Sequence, residues 1–360
     1  MSRVPVNSIG LPETIWFDDE QLCVLDQTEL PHSVWPFVIN SVDDAFEAIA
    51  RMHVRGAPAI GITAAYGMVV DRPSLIGDAG SVAEVLMRLE DRHRRLVVAR
   101  PTAVNLRWAL DRMRDAAQVW AEENDSGTPR QIYEHLVQTA KTIHTEDRRM
   151  CGAIGQHGKS LIDSGLGVLT HCNAGSLATS EHGTATAPMY AAHGDGVAFS
   201  AFVDETRPRL QGAKLTAWEL STAGIDTTLL CDNMAASLMA AGRVQLILVG
   251  TDRVTTDGSV ANKIGTLPLA IVAKHYGIPL YVAFATSTLD RDLDRGDEIP
   301  IEHRGGNEVV RIGEHLIAPD DVRVYSPAFD VTPGDLVTGY ITQTGVYRAE
   351  EFERLLREAE

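Results

Sequence analysis

Hydrophobic positions along the chain follow one pattern before about residue 165 and a different one after it. Before it, apolar residues recur three or four positions apart, as at Leu106, Leu110, Met113 and Ala117, and this spacing predicts amphipathic helices. The predicted helices cover about 41–52, 59–70, 81–98 and 102–123, and two short strands around an acidic turn precede them in WFDDEQLCVLDQTELP. A polar loop over 123–129 leads into a long helix, about 131–163.

After residue 165, short apolar runs alternate with helical stretches. Strands are predicted in GLGVLTHC, GVAFSAFVD, DTTLLC, VQLILVGTD, PLYVAFA and DVRVYSP, and helices over about 185–193, 214–223, 234–241 and 260–276. Apolar strands separated by helices are typical of a parallel sheet covered on both faces. We therefore predict an α/β fold. Residues 1–130 form an N-terminal domain with a small sheet plus helices, and residues 131–360 form a Rossmann-like, doubly wound parallel sheet preceded by the long linking helix.

Polar residues end the predicted strands, at the edge where such sheets bind ligands. Cys172 follows the strand in GLGVLTHC and precedes Asn-Ala-Gly, a turn that can open a helix whose positive end would activate the thiol. The alternative is a buried, inert cysteine. Asp252 ends VQLILVGTD, where partial desolvation would suit its carboxyl group for acid or base work. Its alternatives are a helix N-cap or a structural pair with an arginine.

Composition and charge exclude several classes of function. A net charge of −17 argues against broad binding to nucleic acid. No apolar run reaches the roughly 20 residues of a membrane span, and no apolar signal core begins the sequence, so we expect a cytoplasmic protein. The four cysteines lack CxxC spacing, and no GxGxxG follows a strand, so neither a metal nor a dinucleotide cofactor is expected.

An anionic substrate would need a local basic pocket in this acidic chain. Backbone N–H groups at a helix start, beside a guanidinium group, can bind phosphate. Arg55 in HVRGAPAIG and Arg100 in ARPTAVN each precede a predicted helix start. Gln211 precedes Gly212 after an acidic segment, and VANKIGT contains Asn262 and Lys263. Together these groups indicate a small phosphorylated substrate.

Long motifs now identify a resemblance to a known family. They are LDQTELP, VRGAPAIGITAAYG, RPTAVNLRWALDRM, THCNAGSLAT, DETRPRLQGAKLTAWEL, DNMAASLM, GTDRV, VANKIGT, DEIPIEHR and PAFDVTP. The sequence resembles the methylthioribose-1-phosphate isomerases, within the superfamily that also holds the alpha, beta and delta subunits of translation initiation factor eIF2B. The resemblance covers nearly the whole chain. It implies a small N-terminal sheet with helices, a Rossmann-like C-terminal domain, a homodimer and a role in methionine salvage without a cofactor.

The resemblance also implies site residues. Cys172 and Asp252 match the catalytic pair, and the matches to phosphate or substrate contacts are Arg55, Gly56, Ala57, Arg100, Gln211, Asn262 and Lys263. The sequence differs from the residues usual in the family in EHGTATAPMY, at Thr251, in TTDGSV and in FATSTLD. These departures leave open which group the sugar carries at its fifth carbon.

The expected reaction converts 5-methylthioribose 1-phosphate into 5-methylthioribulose 1-phosphate. An aldose 1-phosphate is locked as a ring, so isomerisation needs an acid near the ring oxygen and a group for the proton at C2, which Asp252 and Cys172 can supply. A hydride shift is the rival route. The alternative functions are an isomerase for 5-deoxyribose 1-phosphate or ribose 1,5-bisphosphate, and a non-catalytic regulatory subunit of an initiation-factor exchange complex.

Overall fold

The structure is a computed structural model that describes residues 4–18, 20–100, 103–319 and 321–359. The chain divides into two compact units. The first is Met1–Arg149 with Ser176–Gly183, and the second is Met150–Gly175 with Thr184–Glu360. The division into domains after residue 130, which we predict from the sequence, stays a prediction.

The first unit contains a three-stranded antiparallel sheet of order β1-β2-β3 and a set of helices. The strands are β1 (Ile15–Asp18), β2 (Gln21–Leu25) and β3 (Pro36–Ile39), and the helices are α1 (Val42–Ala50), α2 (Ala57–Gly67), α3 (Arg72–Ile76), α4 (Val82–Val97), α5 (Val104–Glu123) and α6 (Pro129–Gly158). The last helix, α6, begins in the first unit and ends in the second. The structure confirms the two predicted strands and adds the third.

Side-chain caps explain where two of these helices begin. The Ser41 hydroxyl accepts the Asp44 N–H at 3.1 Å, and the Ser81 hydroxyl accepts the Glu84 N–H at 3.3 Å, which satisfies N–H groups that have no partner within the helix. The predicted helices over 41–52, 59–70 and 81–98 are thus confirmed as α1, α2 and α4. The helix predicted over 102–123 is α5, and its predicted start at Thr102 lies outside the described residues.

The second unit contains a seven-stranded sheet, a three-stranded antiparallel sheet of order β13-β9-β8 and the hairpin β11-β12. The strands are β4 (Gly167–Thr170), β5 (Ser200–Asp204), β6 (Asp226–Leu230), β7 (Leu246–Val249), β8 (Arg253–Val254), β9 (Val260–Lys263), β10 (Leu280–Ala283), β11 (Arg311–Ile312), β12 (His315–Leu316), β13 (Phe329–Thr332), β14 (Gly339–Thr342) and β15 (Gly345–Arg348). The helices are α7 (Ala187–Gly194), α8 (Ala217–Thr222), α9 (Ala235–Ala240), α10 (Thr266–Tyr276), α11 (Asn307–Val310) and α12 (Phe352–Glu358).

The large sheet has the order β15-β14-β10-β7-β4-β5-β6, and all its pairs are parallel except that of β14 with β15. The chain runs from β4 outward to β5 and β6, and then returns to place β7 on the other side of β4. Every residue of β4 and β7 is buried, as expected for central strands covered on both faces. The Rossmann-like, doubly wound fold is confirmed, and its strand order reverses between β4 and β7.

Two predicted elements are wrong. DVRVYSP forms no strand, because β14 occupies the place beside β10, and Val322 and Tyr325 are 46% and 80% exposed. The helix predicted over 260–276 is strand β9 followed by α10. Residues Val260–Lys263 pair antiparallel with β13, and Gly265 interrupts the chain with a left-handed φ of 109° before α10 begins.

Within the described residues, no helix combines the length and the apolar character that crossing a bilayer requires. The longest helix, α6, instead buries selected side chains of one face. His144 of α6 is buried, and its Nδ1 lies 3.2 Å from the hydroxyl of Tyr66. Burial, assisted by the positive charge of Arg148, lowers the pKa of His144 from 6.5 to about 4.

We predict that His144→Gln weakens the acid sensitivity of folding. A histidine whose pKa is lower in the folded state binds fewer protons there, so its contribution to stability is present above pH 6.5 and is lost as the pH falls towards 4. The free energy of unfolding of the wild type should therefore fall by about 2–3 kcal/mol more than that of the variant between pH 7 and 4. Urea denaturation at both pH values measures this. His157→Gln, in an exposed histidine of the same helix, is the matched control, and equal losses for wild type and His144→Gln would contradict the prediction.

Candidate active site

The reversal of strand order between β4 and β7 brings two sequence-distant segments to one edge of the sheet. Leu169 of β4 pairs with Ile247 of β7, and parallel neighbours lie about 4.8 Å apart. Cys172 follows the end of β4 by two residues, and Asp252 follows the end of β7 by three. A Cβ atom at Gly250 would lie 2.6 Å from the Cβ of Ala174, so the two segments pack closely beyond the sheet. This is the crevice in which doubly wound folds bind ligands.

Cys172 is 7% exposed and has a left-handed φ of 68°. Its N–H donates to Thr206 Oγ1 at 2.8 Å, and its carbonyl oxygen accepts from Thr216 Oγ1 at 2.6 Å. The helix predicted after Cys172 is the three-residue 3-10 turn Ser176–Ala178. Such a turn is too short to build the macrodipole that we expected to activate the thiol, so that expectation is wrong.

His171 joins the end of β4 to two other segments. It is 1% exposed, its Nδ1 lies 3.0 Å from Asp204 Oδ2, and its Nε2 lies 2.9 Å from the carbonyl oxygen of Ile264. Burial opposes a charge on the ring, but the hydrogen bond and negative charge of Asp204, with the Ile264 carbonyl, outweigh it and raise the pKa of His171. Burial also raises the pKa of Asp204. The pair therefore retains a proton to higher pH than the free groups would.

A metal ion is a poor fit to this pair, although ligand atoms of His171, Asp204 and Asp232 lie within 4.8 Å of one another. A metal needs a free lone pair on the imidazole, whereas both ring nitrogens face hydrogen-bond acceptors. Both carboxylate oxygens of Asp232 accept backbone N–H groups, from Thr206 and Arg207, each at 2.7 Å. The three side chains form a hydrogen-bonded support for the residues around Cys172.

Asp252 is exposed, which corrects our expectation of partial desolvation. Its backbone N–H donates to the Ala261 carbonyl of β9 at 2.9 Å, so the start of the segment is held to a strand while the side chain lies at the surface of this unit. The neighbouring Arg253 pairs with Asp290, with Nη1 to Oδ2 at 2.9 Å. The arginine beside Asp252 therefore has a structural partner of its own.

The structure brings three more predicted residues to the same unit. Asn262 is 5% exposed and donates to Thr266 Oγ1 at 3.0 Å, and Lys263 is 9% exposed and donates to the Ala328 carbonyl at 3.0 Å. Gln211 is 7% exposed, and its Oε1 accepts no hydrogen bond from the described part of the chain. The turn after Lys263 contacts His171, because a Cβ at Gly265 would lie 2.7 Å from the ring.

The other four predicted residues, Arg55, Gly56, Ala57 and Arg100, belong to the first unit. Gly56 has a left-handed φ of 94° and precedes the first residue of α2, Ala57. A Cβ at Gly56 would lie 2.4 Å from the Cα of Ala178, so only glycine fits there. Arg55 and Arg100 are half-buried.

Sequence reasoning missed the supporting residues Thr206 and Thr216. It placed His171 among the polar residues that end the strands, directly before Cys172, but gave it no role. The two threonines have no signal in the sequence, because their contacts with Cys172 depend on the packing of β5 and of the π-helical turn Gly212–Thr216 against the end of β4.

Known proteins are similar to this chain over most of its length. The sequence pattern of the initiation factor 2 subunit family matches residues 53–349. A methylthioribose-1-phosphate isomerase of Herpetosiphon aurantiacus is 49% identical over 334 residues, which are 93% of this chain and 92% of that protein. A 5-deoxyribose 1-phosphate isomerase of Bacillus thuringiensis is 46% identical over 342 residues, which are 95% of this chain and 96% of that protein.

A solved structure is similar over almost the same length. The crystal structure of 5-methylthioribose 1-phosphate isomerase from Pyrococcus horikoshii OT3 has a TM-score of 0.89 and 40% sequence identity, and the match covers 97% of this chain and 96% of that one. The chain therefore belongs to the initiation factor 2 subunit family, and its relatives at nearly full length include methylthioribose-1-phosphate isomerases.

Proposed function

We propose that this chain is an aldose-ketose isomerase that converts 5-methylthioribose 1-phosphate into 5-methylthioribulose 1-phosphate in methionine salvage. The observation that carries the proposal is the position of a cysteine and an aspartate after neighbouring strands, at the point where the strand order of the sheet reverses. The names of relatives at 49% and 40% identity support the same substrate.

The substrate phosphate is bound by cations and by a helix start. Arg55 and Arg100 supply guanidinium groups, and the backbone of Gly56 and Ala57 presents N–H groups at the start of the eleven-residue helix α2. In the second unit, the ammonium group of Lys263 is a further, buried cation for an anionic substrate.

The sugar hydroxyls are bound by side-chain amides. The buried Oε1 of Gln211 has no hydrogen-bond donor among the described residues and can accept from a hydroxyl. Asn262 lies beside Lys263 on β9 and offers its own amide to the same substrate. These contacts hold the sugar with C1 and C2 near the ends of β4 and β7.

The chemistry then needs two proton-handling groups. Asp252 assists ring opening by donating a proton to O4 as the C1–O4 bond breaks, and the oxygen that links C1 to the phosphate shares the positive charge left at C1. Cys172 removes the proton from C2 to give an enediol-like intermediate and delivers a proton to C1, while Asp252 takes the proton of the C2 hydroxyl as it becomes the carbonyl group. The overall reaction moves one hydrogen from C2 to C1 and one from the C2 hydroxyl to O4, and it consumes no other reactant.

We further propose that the protein works in the cytoplasm as a homodimer. The family resemblance supports the dimer. All four cysteines lie in the described part of the chain and none is in a disulfide, which is usual for a reducing compartment. No step of the reaction asks for a cofactor.

We predict that Cys172→Ser and Asp252→Asn each lower kcat for methylthioribose 1-phosphate at least about 100-fold. A serine hydroxyl is too weakly acidic to exchange a proton with carbon, and an amide can neither donate nor accept one as the carboxyl group does. A coupled assay of ketose formation measures kcat and KM.

The controls for these variants are Cys231→Ser and the exposed Asp163→Asn, which keep wild-type turnover because neither residue lies at the end of β4 or β7. Full turnover by Cys172→Ser and Asp252→Asn would contradict the site assignment and leave the substrate assignment standing.

We predict an order of kcat/KM among three sugar phosphates. Methylthioribose 1-phosphate should exceed 5-deoxyribose 1-phosphate about tenfold, because burial of the methylthio group contributes about 1–2 kcal/mol of binding in the transition state. Ribose 1,5-bisphosphate should be poorest, because a second phosphate needs a second set of cations in a chain of net charge −17. Parallel kinetics with the three sugars measure the order, and a preference for either of the others would move the assignment to that sugar.

We predict that substrate deuterated at C2 loses part of its label to water during conversion. A proton held on the Cys172 sulfur can exchange before it is delivered to C1, whereas a hydride shift never releases it. Mass spectrometry of the product at early conversion measures the retained deuterium. Complete retention, with the deuterium found at C1, would establish the rival hydride route. Cys172 would then not carry a proton from C2 to C1.

A further inference from the structure

The backbone of Cys172 adopts a conformation that residues with a Cβ rarely take. Its φ of 68° lies in the left-handed region, which costs a non-glycine residue about 1–2 kcal/mol because the Cβ crowds the following carbonyl oxygen. Such conformations persist at functional sites where the surroundings fix them. At Cys172 the constraint comes from hydrogen bonds to its N–H and to its carbonyl oxygen.

Two threonine hydroxyls hold the polar groups of this residue. Thr206 Oγ1 accepts the Cys172 N–H at 2.8 Å and donates to the Asp204 carbonyl at 3.0 Å. Thr216 Oγ1 donates to the Cys172 carbonyl at 2.6 Å and accepts from Asn173 Nδ2 at 3.2 Å. Each hydroxyl thus uses its one proton and a lone pair, and both threonines are 0% exposed, so water does not compete.

The two threonines are themselves anchored in different elements. The backbone N–H of Thr206 donates to Asp232 Oδ1 at 2.7 Å in the turn after β5. Thr216 ends the π-helical turn Gly212–Thr216, and its partner Asn173 also donates to Glu219 Oε1 at 2.7 Å. The buried Glu219 accepts in turn from the Tyr190 hydroxyl at 2.9 Å. Cys172 is therefore held through both its N–H and its carbonyl group.

We infer that Thr206 and Thr216 are positioning residues that clamp the Cys172 backbone in its left-handed conformation and so aim the thiol at the substrate. This inference rests on the proposed function of Cys172. Rotation of Cys172 into a common backbone conformation would redirect the Cα–Cβ bond and move the sulfur away from the ends of β4 and β7. Misalignment of a reacting group by about 1 Å costs up to about 100-fold in rate.

Thr206→Val and Thr216→Val test the clamp, because valine keeps the shape and removes the hydroxyl. Each should lower kcat about 10- to 100-fold with KM changed less than about threefold, and Thr206→Ser and Thr216→Ser should restore kcat to within about threefold. The matched control is Thr63→Val, since Thr63 is equally buried and its hydroxyl donates to the Ala59 carbonyl in α2. Wild-type kcat in both valine variants would overturn the inference.

Two measurements work without turnover and so separate this inference from the proposed function. The rate of Cys172 alkylation by iodoacetamide, located by peptide mass spectrometry, should differ at least about threefold from wild type in the valine variants and match it in the serine variants. Cys172→Gly should melt at a higher temperature than Cys172→Ala, because glycine adopts the left-handed conformation without strain. Unchanged alkylation in the valine variants, or a lower melting temperature for the glycine variant, would overturn the clamp whatever the substrate is.

If a valine variant fails to fold, Thr206→Ala and Thr216→Ala take its place, because they remove the hydroxyl without setting a methyl group against a carbonyl oxygen. The same outcomes apply to them. Absence of turnover by the wild type on all three sugars, with altered Cys172 alkylation in the variants, would reject the proposed function and retain the clamp.

Discussion

The reversal of strand order between β4 and β7 is the constraint on which the rest of the second unit depends. Parallel neighbouring strands are joined by crossover connections, and these are right-handed. The crossover helices therefore lie on one face of the sheet while the chain moves outward in one direction, and on the other face after it reverses. The two strands that flank the reversal therefore end with no helix crossing directly between them, and the segments after them meet beyond the sheet. Cys172 and Asp252 stand on these two segments, so the topology places both at the same edge of the sheet although they are far apart in the sequence.

Charge is distributed unevenly between the surface and this edge. The chain carries a net charge of −17, which repels an anionic substrate at long range. At the edge, however, Asp204 is paired with His171, and Lys263 is a buried cation next to Ile264, whose carbonyl oxygen contacts the same histidine ring. Solvent and salt screen buried charges less than they screen surface charges. A few electrostatic interactions at a buried site can therefore outweigh many at the surface. The proposed selectivity for a phosphate then depends on fixed local groups and not on the overall charge.

The sequence predicts the central part of this arrangement and not its details. Continuous apolar runs made the strands β4, β5, β6, β7 and β10 recognisable, and parallel strands necessarily place the residues after them at one edge. Val260–Lys263 was predicted as helix because the apolar pattern of α10 extends into it, whereas pairing with β13 decides its conformation. The left-handed backbone of Cys172 and the exposure of Asp252 depend on neighbours remote in sequence, and no local pattern predicts either.

Cys172 is buried and Asp252 is exposed, and this difference follows from the protons that each is proposed to transfer. Protons on oxygen exchange rapidly with water, so a carboxyl group that handles them can remain exposed, as Asp252 does while its backbone N–H donates to β9. A proton on carbon moves only when the accepting atom is aligned with the bond that breaks, and water near the intermediate promotes side reactions. The buried, doubly held Cys172 meets that stricter demand. Rigidity is thus concentrated at the residue where misalignment costs most, and the strained backbone there is the structural consequence.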